Sequence, residues 1–211
     1  MRIRLVAGAG IVAAGLLMAV ISAGGDNLFN GKDLSGWNGD TAVFRVEDGA
    51  IVGGSLKALL SHNEFLASDR EFGDFELTLK FKITGDPKQA NAGVQFWSQR
   101  VPNEREMIGY QADIGQNYWG CLYDESRRKK VLVQPDAALI AKTIKPDDWN
   151  DYRIRAEGKH IQLWLNGVQT VDYTEPEADI AQRGKFGLQV HAGPPMEVRY
   201  KDLKIVELGK K

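Results

Sequence analysis

Three short runs carry side chains of the kinds that hold and transform a polar organic ligand: Gln95 with Trp97, Gln111 with Asp113, and Gln189 with His191. In each run these residues alternate with apolar ones: Val94 and Phe96; Tyr110, Ala112 and Ile114; Phe186, Leu188 and Val190. On an extended backbone successive side chains point to opposite faces, so the amides, carboxylate, indole and imidazole take the face that the core does not claim. Amides and carboxylates hydrogen-bond hydroxyl groups, and aromatic rings stack on the apolar side of a pyranose, so three such strands side by side would form a groove for a carbohydrate. The competing reading is a set of independent solvent-facing positions. A plain solvent face in this chain looks different, because the run from Phe75 to Ile83 turns Glu76, Thr78, Lys80 and Lys82 outward.

A turn at Gly115 to Asn117 leads from the Gln111–Asp113 run into a second one with Trp119, Tyr123 and Glu125, followed by the basic residues Arg127, Arg128, Lys129 and Lys130. Trp119 and Tyr123 add stacking surfaces and Glu125 a second carboxylate. The basic run, balanced by Asp124 and Glu125, reads as a local solvated loop. Asp113, His191 and Glu125 are the candidates for proton transfer; Gln95, Trp97, Gln111, Trp119, Tyr123, Arg127 and Gln189 are the candidates for binding. No Gly-x-Ser-x-Gly elbow, phosphate loop, dinucleotide fingerprint or His-Glu-x-x-His motif is present. His62 and His160 sit in polar surroundings and read as surface residues, and no set of residues has zinc-ligand spacing. Cys121 is the only cysteine, so no intramolecular disulfide can form, and it reads as a small packed residue.

The elements that must position these residues are short strands. Phe44 to Ile51 reads as a hairpin turning at Asp48-Gly49, and Glu71 to Ile83 as the clearest alternating strand. Tyr152 to Tyr173 reads as strands joined at Gly158-Lys159 and Asn166-Gly167, and the parity change between Tyr200 and Leu203 predicts a bulge near Lys201-Asp202. Val131 to Asp148 reads as a long loop and Glu175 to Gln182 as a single helical turn. No sustained helical periodicity appears after the N-terminus, so the fold class is all-β, an antiparallel sandwich of two sheets on one core.

The 211 residues, with 43% hydrophobic and 26% charged, fit one domain with a substantial core. A formal net charge of -1 gives no global attraction to nucleic acid or anionic membrane. Residues 1 to 23 open with Arg2 and Arg4, continue as an apolar run from Leu5 to Ile21 and close on small residues, which is the pattern of a signal peptide. The expectation is export to the periplasm or beyond, cleavage near Ala23 to Gly25 and no stable membrane association afterwards. An uncleaved anchor is the competing reading.

Leu28-Phe29-Asn30-Gly31 through Gly36-Trp37, Gly109 to Gly115, Trp119-Gly120 with Leu122 to Glu125, Trp149-Asn150, Leu165-Asn166-Gly167 and Gln189 to Pro195 together resemble the 3-keto-disaccharide hydrolase family across the mature chain. The resemblance implies a concanavalin A-like jelly-roll sandwich, an exported bacterial protein and an oxidised glycoside as substrate. A 3-keto group acidifies the proton on C2 and makes loss of the C1 substituent an elimination, which needs a base, a holder for the enolate and a donor for the leaving group. Asp113 or His191 would be the base, and an arginine of the Arg127-Arg128 loop or a divalent cation would hold the enolate. Water addition would complete a net hydrolysis. Two other classes stay open, a non-catalytic carbohydrate-binding module and an extracellular scaffold with a vestigial groove, because fold does not fix function.

Overall fold

The structure is a computed structural model that describes residues 25–209. The signal-peptide reading falls on residues 1–23 and lies outside the described residues. The chain runs through β1 (Asp26–Asn27), β2 (Trp37–Asn38), β3 (Phe44–Glu47), β4 (Ala50–Ser55), β5 (Glu64–Ser68), β6 (Phe75–Gly85), β7 (Asn91–Arg100) and β8 (Met107–Gly115). It continues through β9 (Leu122–Glu125), β10 (Lys130–Val133), α1 (Ala137–Thr143), β11 (Asn150–Glu157), β12 (His160–Leu165), β13 (Val168–Thr174), β14 (Lys185–Val190) and β15 (Met196–Glu207). Two antiparallel sheets result. The first has the order β13-β12-β11-β6-β15-β4-β3 with β1 beside β15, and the second the order β10-β9-β8-β7-β14-β5-β2.

Alternation decides which sheet faces meet. In β6, Phe75, Leu77, Leu79, Phe81 and Ile83 are buried while the residues between them are half-exposed. Facing them across the sandwich are Val94 and Phe96 of β7, Tyr110, Ala112 and Ile114 of β8, and Phe186, Leu188 and Val190 of β14. Phe75 packs edge-on against Phe96, Trp97 and Phe186. Strands β7 and β8 are buried on both faces, because loops and a small second apolar cluster of Phe65, Ala67 and Met107 cover part of the outer side of their sheet.

The hairpins follow the sequence signals. Asp48 and Gly49 have φ of +50° and +71°, and Asn166 and Gly167 have +49° and +82°, the left-handed pair that a two-residue turn of the right twist requires. The β6–β15 register shifts between Lys201 and Lys204, where Asp202 has φ +54°, so the bulge lies where the parity change puts it. Two expectations fail. Val131 to Asp148 is not one loop: it holds β10 and the seven-residue α1, which starts after Pro135 with the Asp136 carboxylate accepting from the Leu139 amide at 2.8 Å. A helix of that length shows no periodicity in sequence. Glu175 to Gln182 forms no helix, because Glu175 is drawn inward by Arg128, Tyr110 and Tyr173. Among the described residues no helix is long and apolar enough to cross a membrane.

Two tyrosines of the first sheet cross the core to the second. Tyr152 donates its hydroxyl to the carbonyl of Asp113 at 3.2 Å, and the Tyr200 hydroxyl lies 3.0 Å from the carbonyl of Gln189 and 3.2 Å from that of Gly93. Both phenols are buried, and burial raises both pKa values, so they remain hydrogen-bond donors throughout the physiological range. Tyr200→Phe removes these bonds and leaves the ring, so it should lower unfolding stability by about 1–2 kcal/mol, read as a shifted urea midpoint with an unchanged slope.

Candidate functional site

On the outer side of the second sheet, β8, β7 and β14 lie next to one another, which brings Gln111, Gln95 and Gln189 together. The register interleaves these amides with glycines. Gln95 stands opposite Gln111 on one side and Gly187 on the other, and Gly93 stands between Asp113 and Gln189. A Cβ at Gly93 would fall 2.5 Å from Cδ of Gln111, so only glycine lets that side chain lie across β7. The amides form a directed row. Gln95 Nε2 donates to Gln111 Oε1 at 3.3 Å, Gln111 Nε2 to Gln189 Oε1 at 3.0 Å, and Gln189 Nε2 to Glu125 Oε2 at 3.4 Å.

The row ends in a cavity of about 290 Å³ lined by Asn63, Asn91, Gln111, Asp113, Gln116, Tyr118, Tyr123, Glu125 and His191. That volume is at the small end of ligand pockets, which run from roughly 300 to 1,000 Å³. A second cavity of about 430 Å³, lined by Val101, Glu104, Glu106, Ile108, Ser126 and Lys129, shares Tyr123 and Glu125 with the first. Glu125 and Tyr123 therefore form a wall common to two adjoining polar spaces.

Asp113 is buried. Burial pushes its pKa up to about 8, against the pull of hydrogen bonds from Asn91 and Gln111 and with a small push from Glu125. Near neutral pH it holds its proton. Glu125 is also raised, first by burial and then by the Glu106 charge. His191 Nδ1 lies 2.7 Å from the Ala192 carbonyl oxygen. A carbonyl can only accept, so Nδ1 carries the hydrogen and the neutral ring presents its lone pair at Nε2. Asn63 fixes this segment by accepting from the Ala192 amide at 3.0 Å and donating to Glu106 at 3.3 Å.

Asp113, Glu125, His191, Gln111 and Tyr123 thus line one cavity. The other candidates do not. Gln95 and Gln189 are fully buried beneath it and act on the row of amides. Trp97 sits at a bulge between Phe96 and Gln99 with φ +48°, which turns its indole into the core, where Nε1 donates to the Gly73 carbonyl at 2.7 Å. Trp119 packs on Phe81. Arg127 pairs with Asp124 at 2.8 Å and lies over the Tyr110 ring. The basic run is not a solvated loop at Arg127 and Arg128. Arg128 binds the buried Asp124 and Glu175 and the exposed Glu177. Burial pushes the Glu175 pKa up, and Arg128 and Tyr110 more than reverse it, down to about 2.

Residues missed in sequence are Asn63, Asn91, Gln116 and Tyr118. Asn91 has the parity of Gly93 and Gln95 and was legible; the others sit on loops and turns, where alternation says nothing. Among the described residues no three His, Cys, Asp or Glu side chains are grouped to hold a metal ion, so a divalent cation finds no such donor set in this cavity. Cys121 lies under Asp113, with Sγ 3.9 Å from Oδ2, and burial raises its thiol pKa, so it is no nucleophile.

Residues 24–206 match the family model described as the 3-keto-alpha-glucoside-1,2-lyase-like domain. Among curated proteins nothing matches. Among solved structures, a candidate glycosyl hydrolase of Parabacteroides distasonis ATCC 8503 is 21% identical with a TM-score of 0.65, covering 86% of this chain and 92% of that one. The carbohydrate binding module CBM66 of Bacillus subtilis is 15% identical with a TM-score of 0.63, covering 81% and 94%. A Bacillus subtilis protein of unknown function with a galectin-like fold is 13% identical with a TM-score of 0.63, covering 82% and 90%. These likenesses establish the lectin-like sandwich fold.

The raised Asp113 pKa has a stability consequence. The unfolded carboxyl loses its proton at about pH 3.9 and the folded one at about 8, so its contribution is fully present below about pH 4 and is lost as pH rises through 8. Asp113→Asn has no proton to lose. It should therefore melt higher than the wild type at about pH 8, with the gain vanishing towards about pH 4, in thermal scans across that range.

Proposed function

Because the chain belongs to the 3-keto-alpha-glucoside-1,2-lyase-like family, we propose that its cavity binds an oxidised glycoside and cleaves it by elimination across C1 and C2, followed by hydration. The observation that carries this reading is the gathering of His191, Asp113 and Glu125 around one small polar cavity, with both carboxyls raised and no arginine paired to either. A binding module has no use for two carboxyls of raised proton affinity beside an imidazole.

In this reading His191 Nε2 removes the C2 proton, which the C3 carbonyl has made acidic. The electron pair passes through the enolate, forms the C1–C2 double bond and expels the C1 oxygen substituent. Protonated Asp113 donates a hydrogen bond to the enolate oxygen, the use to which a carboxylic acid kept neutral by burial is suited. Glu125 stands in the wall between the two cavities and gives its proton to the departing oxygen, with the keto-sugar on the Asp113 side and the leaving group on the Glu106 side. Water then adds a hydroxyl to C1 and a proton to C2, releasing the 3-keto sugar. Asn91, Gln111, Tyr118 and Tyr123 supply hydrogen bonds to ring hydroxyls.

Incubation of the protein with a 3-keto-glucoside should release the leaving group. His191→Gln should lower the rate by about 10²-fold or more, in the range of a lost general base, while retaining sugar binding. Glu125→Gln should slow release most for poor leaving groups. Binding without turnover by the wild type would replace this reading with the carbohydrate-binding module. Export belongs to the same proposal, and N-terminal sequencing of the secreted protein should find a start near Ala23 to Gly25; an intact Met1 in the membrane fraction would favour the anchor.

A further inference from the structure

The outer face of the first sheet, on the far side of the sandwich from the cavity, carries a row in register: Lys204 of β15, Thr78 of β6, Arg153 of β11 and Trp164 of β12. The Arg153 guanidinium lies 3.6 Å from the centre of the Trp164 ring, a stack that holds its plane. Its Nε is buried with no hydrogen-bond partner. Among the described residues Arg153 is the one arginine whose guanidinium makes neither an ion pair nor a hydrogen bond; its strand neighbour Arg155 pairs with Glu76 and Glu157, and Arg100 donates to two carbonyls.

Two cavities meet at this row. One of about 280 Å³ is lined by Thr78, Asp151, Arg153, Trp164 and Gly167, and one of about 360 Å³ by Thr78, Lys80, Asp151, Asp202 and Lys204. Three cations, Lys80, Arg153 and Lys204, stand against two carboxylates, Asp151, which pairs with Lys80 at 3.0 Å, and Asp202, so the local balance is positive. An arginine held flat on an indole is a preorganised two-pronged donor for a planar oxyanion, and Thr78 and Trp164, on either side of it, line the same cavity, where a sugar ring can lie.

We propose that this face is a second carbohydrate site, separate from the cavity on the second sheet, and that its ligand is a sugar bearing a carboxylate. The guanidinium of Arg153 takes the carboxylate, Lys204 adds charge from one side, and Trp164 with Thr78 takes the ring. The site binds and carries out no chemistry, so it serves to hold the protein on an acidic glycan while the cavity on the opposite sheet works.

The test is a titration of the isotopically labelled protein with digalacturonate, with its neutral digalactose counterpart and with acetate at matched ionic strength, following backbone amides and the indole N–H of Trp164. Digalacturonate should shift Thr78, Arg153 and Trp164, with weaker effects from the other two. Arg153→Gln should weaken binding about tenfold or more, as expected for losing hydrogen bonds to a charged group. Arg153→Lys, which keeps the charge and the stem, should also lose affinity because it lacks the fork. Both variants should cleave a 3-keto-glucoside as the wild type does, and His191→Ala should bind digalacturonate unchanged. Absence of binding by the wild type, shifts confined to the opposite sheet, or equal binding by a folded Arg153 variant would overturn the proposal.

Discussion

A side chain on a sheet stands away from its strand, and a long amide can lie flat across a neighbour only where that neighbour has no Cβ. Gly93 meets this condition beneath Gln111, whereas the missing Cβ of Gly187 makes room for the Met107 sulfur and that of Gly109 for Ser98. The rest of the cavity depends on it. With Gln95, Gln111 and Gln189 laid down in one direction, each amide satisfies the next, and the donated hydrogen bonds run outward to a carboxylate at the cavity wall. Buried amides without such partners would each carry a desolvation cost of roughly 1–3 kcal/mol. Only the Oε1 of Gln95, at the far end, has none.

Electrostatics divides the carboxylates of one hairpin into two kinds. Asp124 and Glu125 are adjacent in sequence and point to opposite sides of β9. Asp124 is buried against Arg127 and Arg128, which are tied in turn to Glu175, Tyr110 and Tyr173. Glu125 turns to the cavity, where no arginine follows. The arginines of this turn are thereby held on the other side, and Asp113 and Glu125 feel burial without a compensating cation. Such burial raises a carboxyl's affinity for its proton, at Asp113 up to about 8.

Much of this was legible in the order of residues, for a definite reason. Period-two alternation specifies which side chains share a face, and it correctly separated Gln111, Asp113 and Gln189 from Tyr110, Ile114 and Leu188. It fails wherever the period is interrupted. The bulge at Trp97 moved an indole from the outer face to the core, since one extra residue inverts parity. Trp119 and Arg127 lie on turns, and Asn63 and Tyr118 enter the cavity from loops, where nothing in the local pattern gives direction. Adjacency of β8, β7 and β14 was likewise beyond the pattern, because alternation within a strand says nothing about which strands pair.

The two tyrosine hydroxyls that cross the core bind backbone carbonyls of Asp113, Gly93 and Gln189, the residues that form the floor of the cavity and its support. Floor and hydrophobic core are therefore one rigid body, and changes to the floor carry the full cost of changes to the core. The rim differs, because Asn63, Gln116 and Tyr118 hang from turns that bear none of this load. Mutational drift can thus reach Gln116 and Tyr118 long before the floor, so what the cavity admits can change while the residues beneath it stay in place.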